Sequence, residues 1–305
     1  MDNRISDYFM NQNFINNMGY TKSRLNEISR DISSGKQLRQ PHDDPKNIGL
    51  ALKYRTMQSE TDQYINNANY SFQWLTTVEQ ELRGVSDELT HAKEVATRAA
   101  NGTSGTLERR QLAADIEETI KTVVSHANAR YDDKYIFSKT QTQTQSIQAS
   151  DADGDGYLDT FTTVEDLGLP TDNMAKEVGK GIYEDMGYSA KDVFVSNNVM
   201  KSLTDLRDAL LADNQTNINA SLDEINAASA SLRGTQSAVG EKASRLQDRI
   251  GVLQNMKTQL QGMSSDLEDT DMAKAISQLN NWQTIYQASL QATAQISKLS
   301  LVNFI

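Results

Sequence analysis

The chain is 305 residues long and carries 30 Lys+Arg against 41 Asp+Glu, a formal net charge of −11 that disfavours any partner presenting a phosphate backbone. It has no cysteine, which excludes disulfide frameworks, cysteine zinc sites and thiol catalysis. An apolar share of 37% is low for the length and suits elongated helices that bury one stripe each better than a compact sphere.

No run approaches the ~18 consecutive apolar residues of a membrane span, and the N-terminus MDNRISDYFMNQNF lacks the apolar core of a secretory signal, so the expectation is no membrane and no cleavable signal peptide. Residues 8–21 hold no charged side chain, yet Phe14, Met18, Thr21, Leu25, Ile28 and Ile32 keep the 4,3 spacing of one helical face. The segment from Ser33 to Pro45, with Gly35 and two prolines, joins this helix to the next. Asp44 and Pro45 read as an N-cap and first helical residue, and Leu75, Val78, Leu82, Val85, Leu89, Ala92, Ala96 and Ala99 then form a strict seam, giving a helix from Pro45 to Asn101. At ~1.5 Å per residue it would be on the order of 80 Å long.

A second helix starts near Thr106, carries Leu112, Ile116, Val123 and Ala127, and is expected to end near Tyr135 to Ser138 after running antiparallel to the first. Between about 139 and 198 the periodicity gives way to Thr/Gln alternation and an Asp/Gly cluster, the signature of an inserted, β-rich domain. Ile225, Leu232, Val239, Leu246, Leu253, Leu260 and Leu267 then stand seven residues apart, a heptad seam that needs partner helices. In residues 283–305 only Lys298 is charged, with Ile276, Leu279, Tyr286 and Leu290 as the expected stripe.

These elements predict a mainly α fold: a long antiparallel helical coiled-coil rod with discontinuous N- and C-terminal helices and a small β-rich inserted domain. The division is 1–40 with 270–305 for the terminal helices, 41–138 with 199–269 for the rod, and 139–198 for the insertion. Charge-free terminal helices have no solvated face of their own, so they are expected to bury their surface against neighbouring subunits, with both termini at one end.

Asp151, Asp153, Asp155, Gly156, Tyr157 and Asp159 match positions 1, 3, 5, 6, 7 and 9 of a calcium loop, although position 12 is Thr162 instead of a bidentate Glu. The competing reading is an acidic surface loop. His42, His91 and His126 have no metal-protease spacing, Glu117 and Lys121 form an ordinary i, i+4 pair, and Gly179-Lys180-Gly181 is too short to cradle a phosphate. Tyr70, Phe72, Trp74, Trp282 and Tyr286 stand at helical spacing and read as packing residues. No enzyme is expected, and no cofactor is required beyond possible Ca2+ in the Asp loop.

The stretch SSGKQLRQPHDDPKNIGLALKYR (Ser33 to Arg55), followed by Gln63 to Leu82, resembles the N-terminal region shared by flagellins and hook-associated proteins, and Ser265 to Ile305 is similar to their C-terminal region almost throughout. The Asp43-Asp44-Pro45 triplet is closer to the junction members than to flagellin, and Lys134 to Thr140 resembles their aromatic segment. The likeness covers about 1–140 and 200–305; it departs at Ser138-Lys139, where the family more often has a small residue and glycine.

The resemblance implies a structural protein of the bacterial flagellum, extracellular and exported unfolded by the type III apparatus. It further implies a ring of copies between hook-associated protein 1 and flagellin, and a C-terminal export chaperone. The assembly residues would be Phe14, Met18, Leu25 and Ile28; Ser33, Ser34, Gly35, Asp43, Asp44 and Pro45 in the connector; and Tyr286, Leu290, Ile296, Leu299 and Leu301. The alternatives are a minor flagellin or another secreted structural coiled-coil protein. A chemoreceptor-like coiled coil would need a membrane anchor or charged helix ends, and a calcium-dependent adhesin rests on the Asp loop alone.

Overall fold

The computed structural model describes the backbone of residues 2–40, 43–101 and 105–302, and the side chains of residues 9, 12–40, 43–101 and 105–295. The chain is mainly α, with long helices α1 (Asp2–Ser34), α2 (Pro45–Ala100), α3 (Thr106–Ala127), α4 (Val199–Leu211), α5 (Gln215–Glu268) and α6 (Met272–Val302). It divides into two compact units, Met1–Glu60 with Met256–Ile305, and Thr61–Asn255.

In the first unit α1 and α6 pack as an antiparallel pair. The direction follows from two contacts: Tyr20 meets Trp282 edge-on at 6.0 Å between ring centroids, and Lys36 bridges to Asp269 beyond the ends of the helices. α1 stops at Gly35, whose φ of +69° lies in the left-handed region that glycine enters without steric cost. α2 starts as its sequence predicts: Asp44 accepts hydrogen bonds from the backbone N–H of Lys46 and Asn47, both at 3.1 Å.

The second unit is built on the two seams. Leu75, Val78, Leu82, Val85, Leu89, Ala92, Ala96 and Ala99 of α2 are fully buried, as are Ile225, Leu232 and Val239 of α5. α3 runs antiparallel to α2, because His126 meets Glu81 at 2.7 Å and His91 meets Asp115 at 3.2 Å. Buried Arg109 lies in the first turn of α3 and donates to the Ala99 carbonyl at the end of α2, to Asp213 and to Gln215. Gln215 in turn donates to the Ala100 carbonyl at 2.8 Å, so this end of the bundle is closed by hydrogen bonds to carbonyls that a helix end leaves unpaired.

The expected end of the second helix needs correction: α3 stops at Ala127, not near Tyr135 to Ser138. Asn128 ends it, its side chain donating to the Ile147 carbonyl at 2.8 Å and accepting from the Ile147 N–H at 3.0 Å. The chain then turns through Asp132 and Asp133, both left-handed at φ 53° and 58°, into the two-residue hairpin β1 (Arg130–Tyr131) and β2 (Lys134–Tyr135). Lys139 takes the left-handed φ of 46° without being a glycine. Helix α4 also stands apart from α5, separated at left-handed Asp213 and recapped by Asn214, which accepts from Thr216 and Asn217.

The inserted segment consists of two antiparallel hairpins, β3 (Ile147–Ser150) with β4 (Thr160–Thr163) and β5 (Ala175–Gly179) with β6 (Ile182–Asp185), followed by a π-helical turn over Lys191–Val195. Discrete contacts dock it on the helices. Phe137 packs edge-on to Phe194 at 5.0 Å, Asn67 donates to the Glu177 carbonyl at 2.8 Å, and Lys242 donates to the Asp185 carbonyl at 2.8 Å. Arg207 of α4, nearly inaccessible, pairs with buried Glu117 at 3.1 Å and with Asp159 at 2.9 Å.

Candidate assembly interface

The connector after α1 is organised around Glu268, the last residue of α5, whose side chain is 2% exposed. Its Oε1 accepts from Arg55 Nε at 2.8 Å and Ser264 Oγ at 2.9 Å, while Oε2 accepts from Lys36 Nζ at 2.7 Å and from the Arg55 guanidinium a second time. Burial alone would raise the pKa of this carboxyl, but the donors from Arg55, Lys36 and Ser264 outweigh it and hold the pKa at about 2. The backbone joins in: Gln37 N–H donates to the Glu268 carbonyl at 2.7 Å, and Thr270 N–H to the Gly35 carbonyl at 2.8 Å.

Of the connector residues singled out in the sequence, Gly35 supplies the turn. Ser34 bonds the Lys36 backbone, and Ser33 folds back on the Ser29 carbonyl at 2.7 Å. Asp43 accepts from the N–H of Arg39 and Gln40, Asp44 caps α2, and Pro45 is its first residue. Arg39 also reaches back to Asp31 of α1 at 2.6 Å. These residues therefore shape the connector from within.

The helix pair has two unlike faces. Thr21, Ile28 and Ala275 are buried between the helices, and Phe14, Met18, Leu25, Leu279 and Tyr286 are half-buried. Ile276 and Leu290, expected on the same stripe, lie outside it, exposed by 47% and 42%. The pairing face of α6 follows Ala275, Leu279, Trp282 and Tyr286, a 4,3,4 progression that turns the other two outward. The side chains of Ile296, Leu299 and Leu301 lie outside the described residues. Among the described residues, eleven of the seventeen exposed large apolar side chains belong to the first unit, including Phe9, Ile15, Ile276, Ile285 and Leu290, although that unit is about a third of the chain.

The Asp loop closes the β3–β4 hairpin, and no helix enters it. It brings carboxylate oxygens of Asp151, Asp153, Asp155 and Asp159 within 4.8 Å of one another on the surface. Asp151 accepts from the N–H of Gly154 at 2.7 Å and of Gly156 at 2.8 Å, and both glycines are left-handed. Tyr157 stacks on Arg207 instead of facing the cluster, its ring centroid 5.2 Å from the guanidinium carbon. Thr162 is a strand residue of β4, so position 12 supplies no carboxylate.

The sequence reading missed Glu268, Lys36 and Arg55, which look like ordinary surface charges and lie 213 to 232 residues apart across the clasp. No local pattern marks a pair at such separation.

Comparison with known proteins gives two family matches, to the bacterial flagellin N-terminal helical region over residues 5–142 and to the bacterial flagellin C-terminal helical region over residues 222–305. The chain is 26% identical to flagellar hook-associated protein 3 of Escherichia coli, the match spanning 98% of each protein. It is 24% identical to flagellin of Listeria innocua over 93% of this chain and 90% of that one. Its fold is similar to a solved structure described as a flagellar hook-associated protein from Vibrio parahaemolyticus, with a TM-score of 0.64 at 21% identity, over 74% of this chain and 100% of that one.

Proposed function

The chain belongs to the flagellin-like family of structural flagellar proteins, and from this we propose that it forms the junction layer between hook and filament, a ring of copies seated on hook-associated protein 1 and capped by flagellin. The observation that carries the reading is the set of exposed apolar side chains on α1 and α6, Phe9, Ile15, Ile276, Ile285 and Leu290 among them, together with two stretches, residues 8–21 and 283–305, that hold one charged side chain between them, Lys298. A solvated helix normally shows a charged face, and a patch of this kind marks a surface that another protein covers. Copies arranged in a ring would cover it with one another's helices, forming the inner tube that both neighbours continue. Each neighbour would thus meet terminal helices of its own type. An export chaperone holding the C-terminal helix belongs to the same reading.

Cells lacking the protein test it. Electron microscopy should show bare hooks, and flagellin monomers should accumulate in the medium, since export stays intact and only attachment of the filament is lost. Normal filaments would refute the junction role and favour a minor flagellin. The converging carboxylates support a second, separate proposal, that the Asp151–Asp159 loop holds a calcium ion through oxygen ligands. Calorimetry should then register binding that Asp153→Asn weakens; no heat at millimolar calcium would dispose of it.

A further inference from the structure

Within the unit Thr61–Asn255, a groove of about 400 Å³ opens where the β5–β6 hairpin meets α5. Lys242, Arg245 and Arg249 follow one another at 3,4 spacing on one face of that helix. Lys242 donates to the Asp185 carbonyl, and Arg245 pairs with Glu241 at 2.6 Å and lies 3.7 Å from Glu184. Arg249 differs from both. It is half-buried against the bulge of the hairpin, where a Cβ on Gly179 would come within 3.1 Å of its Nη1. Among the described residues it has no ion-pair or hydrogen-bond partner. Val252 in the groove and Ile182 beside it are exposed by 66% and 43%. A free guanidinium with apolar side chains around it is the composition of an interface centre.

The complementary feature is the turn between β1 and β2. Asp132 and Asp133 form its tip, both exposed and both left-handed. A turn of this shape is ordinarily built with Asn-Gly, which reaches that region at lower cost. Two carboxylates hold those places here, and Asp133 has no ion-pair partner among the described residues. Tyr70 sets tip and groove at one height on α2: Tyr131 of β1 packs edge-on to its ring at 5.8 Å, and Lys176 of β5 lies 4.3 Å from its centroid. The tip extends from the end of α3 and the groove lies on α5, so one copy can offer the first while receiving on the second.

We propose that the Asp133 carboxylate of one copy docks on Arg249 in the groove of the next, and that this contact, repeated from copy to copy, closes the layer. Tip to groove is a heterologous contact, the kind that generates a ring when its rotation closes. Copies with 30 Lys+Arg against 41 Asp+Glu repel one another, and an unpaired cation facing an unpaired carboxylate offsets that locally and fixes the register. The contact rests on the junction reading, which places copies side by side without saying through which residues.

Because the chain has no cysteine, Asp133→Cys combined with Arg249→Cys tests the contact by disulfide formation. In flagella purified from a deletion strain carrying the double variant, mild oxidation should give dimers, trimers and higher multimers on a non-reducing gel, and either single variant should stay monomeric. A double variant present in the flagella without a ladder would overturn the contact, as would a dimer from Arg249→Cys alone, which would place two grooves together. Arg249→Glu sets two carboxylates against each other and should lower the fraction of hooks bearing filaments about fivefold; adding Asp133→Lys should restore it to within about twofold of the parent. Unchanged filaments in the single variant, or no restoration in the pair, would also overturn it. Absence of the parent protein from purified flagella would refute the junction reading, and the contact with it.

Discussion

A carboxylate as enclosed as Glu268 keeps its charge because Arg55, Lys36 and Ser264 surround it, and this ties the first unit to pH with a definite sign. The folded pKa of about 2 lies below the value near 4.5 that the group has when unfolded, so the clasp contributes in full above pH 4.5. That contribution is lost as the pH falls from 4.5 toward 2. The difference corresponds to about 3 kcal/mol. Exchange of residues 36–60 should therefore speed up between pH 4.5 and 2.5, after correction for the intrinsic rate, and Glu268→Gln should flatten that dependence; an unchanged slope in the variant would locate the acid sensitivity elsewhere. Residues that act through near neighbours, such as Asp44 as an N-cap, were legible in the sequence because their partners lie two and three positions away. Glu268 was not, because its meaning comes from partners more than two hundred positions upstream.

Among the elements, the long helices were legible from period alone, since a seam of seven consecutive heptad positions leaves little freedom in register. Their ends were harder, because single side chains decide them: Asn128 stops α3 by pairing with Ile147, and Asn214 restarts the chain as α5 after left-handed Asp213. Neither residue disturbs the apolar pattern around it. Arg109 plays the corresponding part where α2, α3 and the α4–α5 turn meet, its guanidinium shared among the Ala99 carbonyl, Asp213 and Gln215. Arg109→Met would keep the buried stem and strand those acceptors, which should cost about 2 to 4 kcal/mol in urea unfolding of the full chain. A loss under about 1 kcal/mol would mean that water replaces the guanidinium there. Thr106→Ala, which removes a bond to Asp213 at the exposed side, should cost well under half as much.

For the molecule as a whole, the family matches stop at residue 142 and resume at 222, and the sequence reading lost its grip over nearly the same interval. Two-stranded hairpins of four or five residues carry too few alternations to announce themselves, and they are held by individual polar contacts that leave no periodic trace. The terminal regions were legible for the opposite reason: an uncharged helix face is a statement about its surroundings, written in composition. A practical consequence follows from the way the β3–β4 hairpin is anchored. Asn128 holds the Ile147 end of the hairpin and Arg207 holds Asp159, while Asp151 to Gly156 project into solvent. Foreign sequence spliced after Gly154 would hang from two fixed posts without straining them, because lengthening an exposed loop adds little closure cost. On the junction reading, an epitope of about ten residues there should be stained by antibody on intact, swimming cells, which would make this loop a display platform on the flagellum; lost motility would mean instead that a neighbouring subunit already occupies that space.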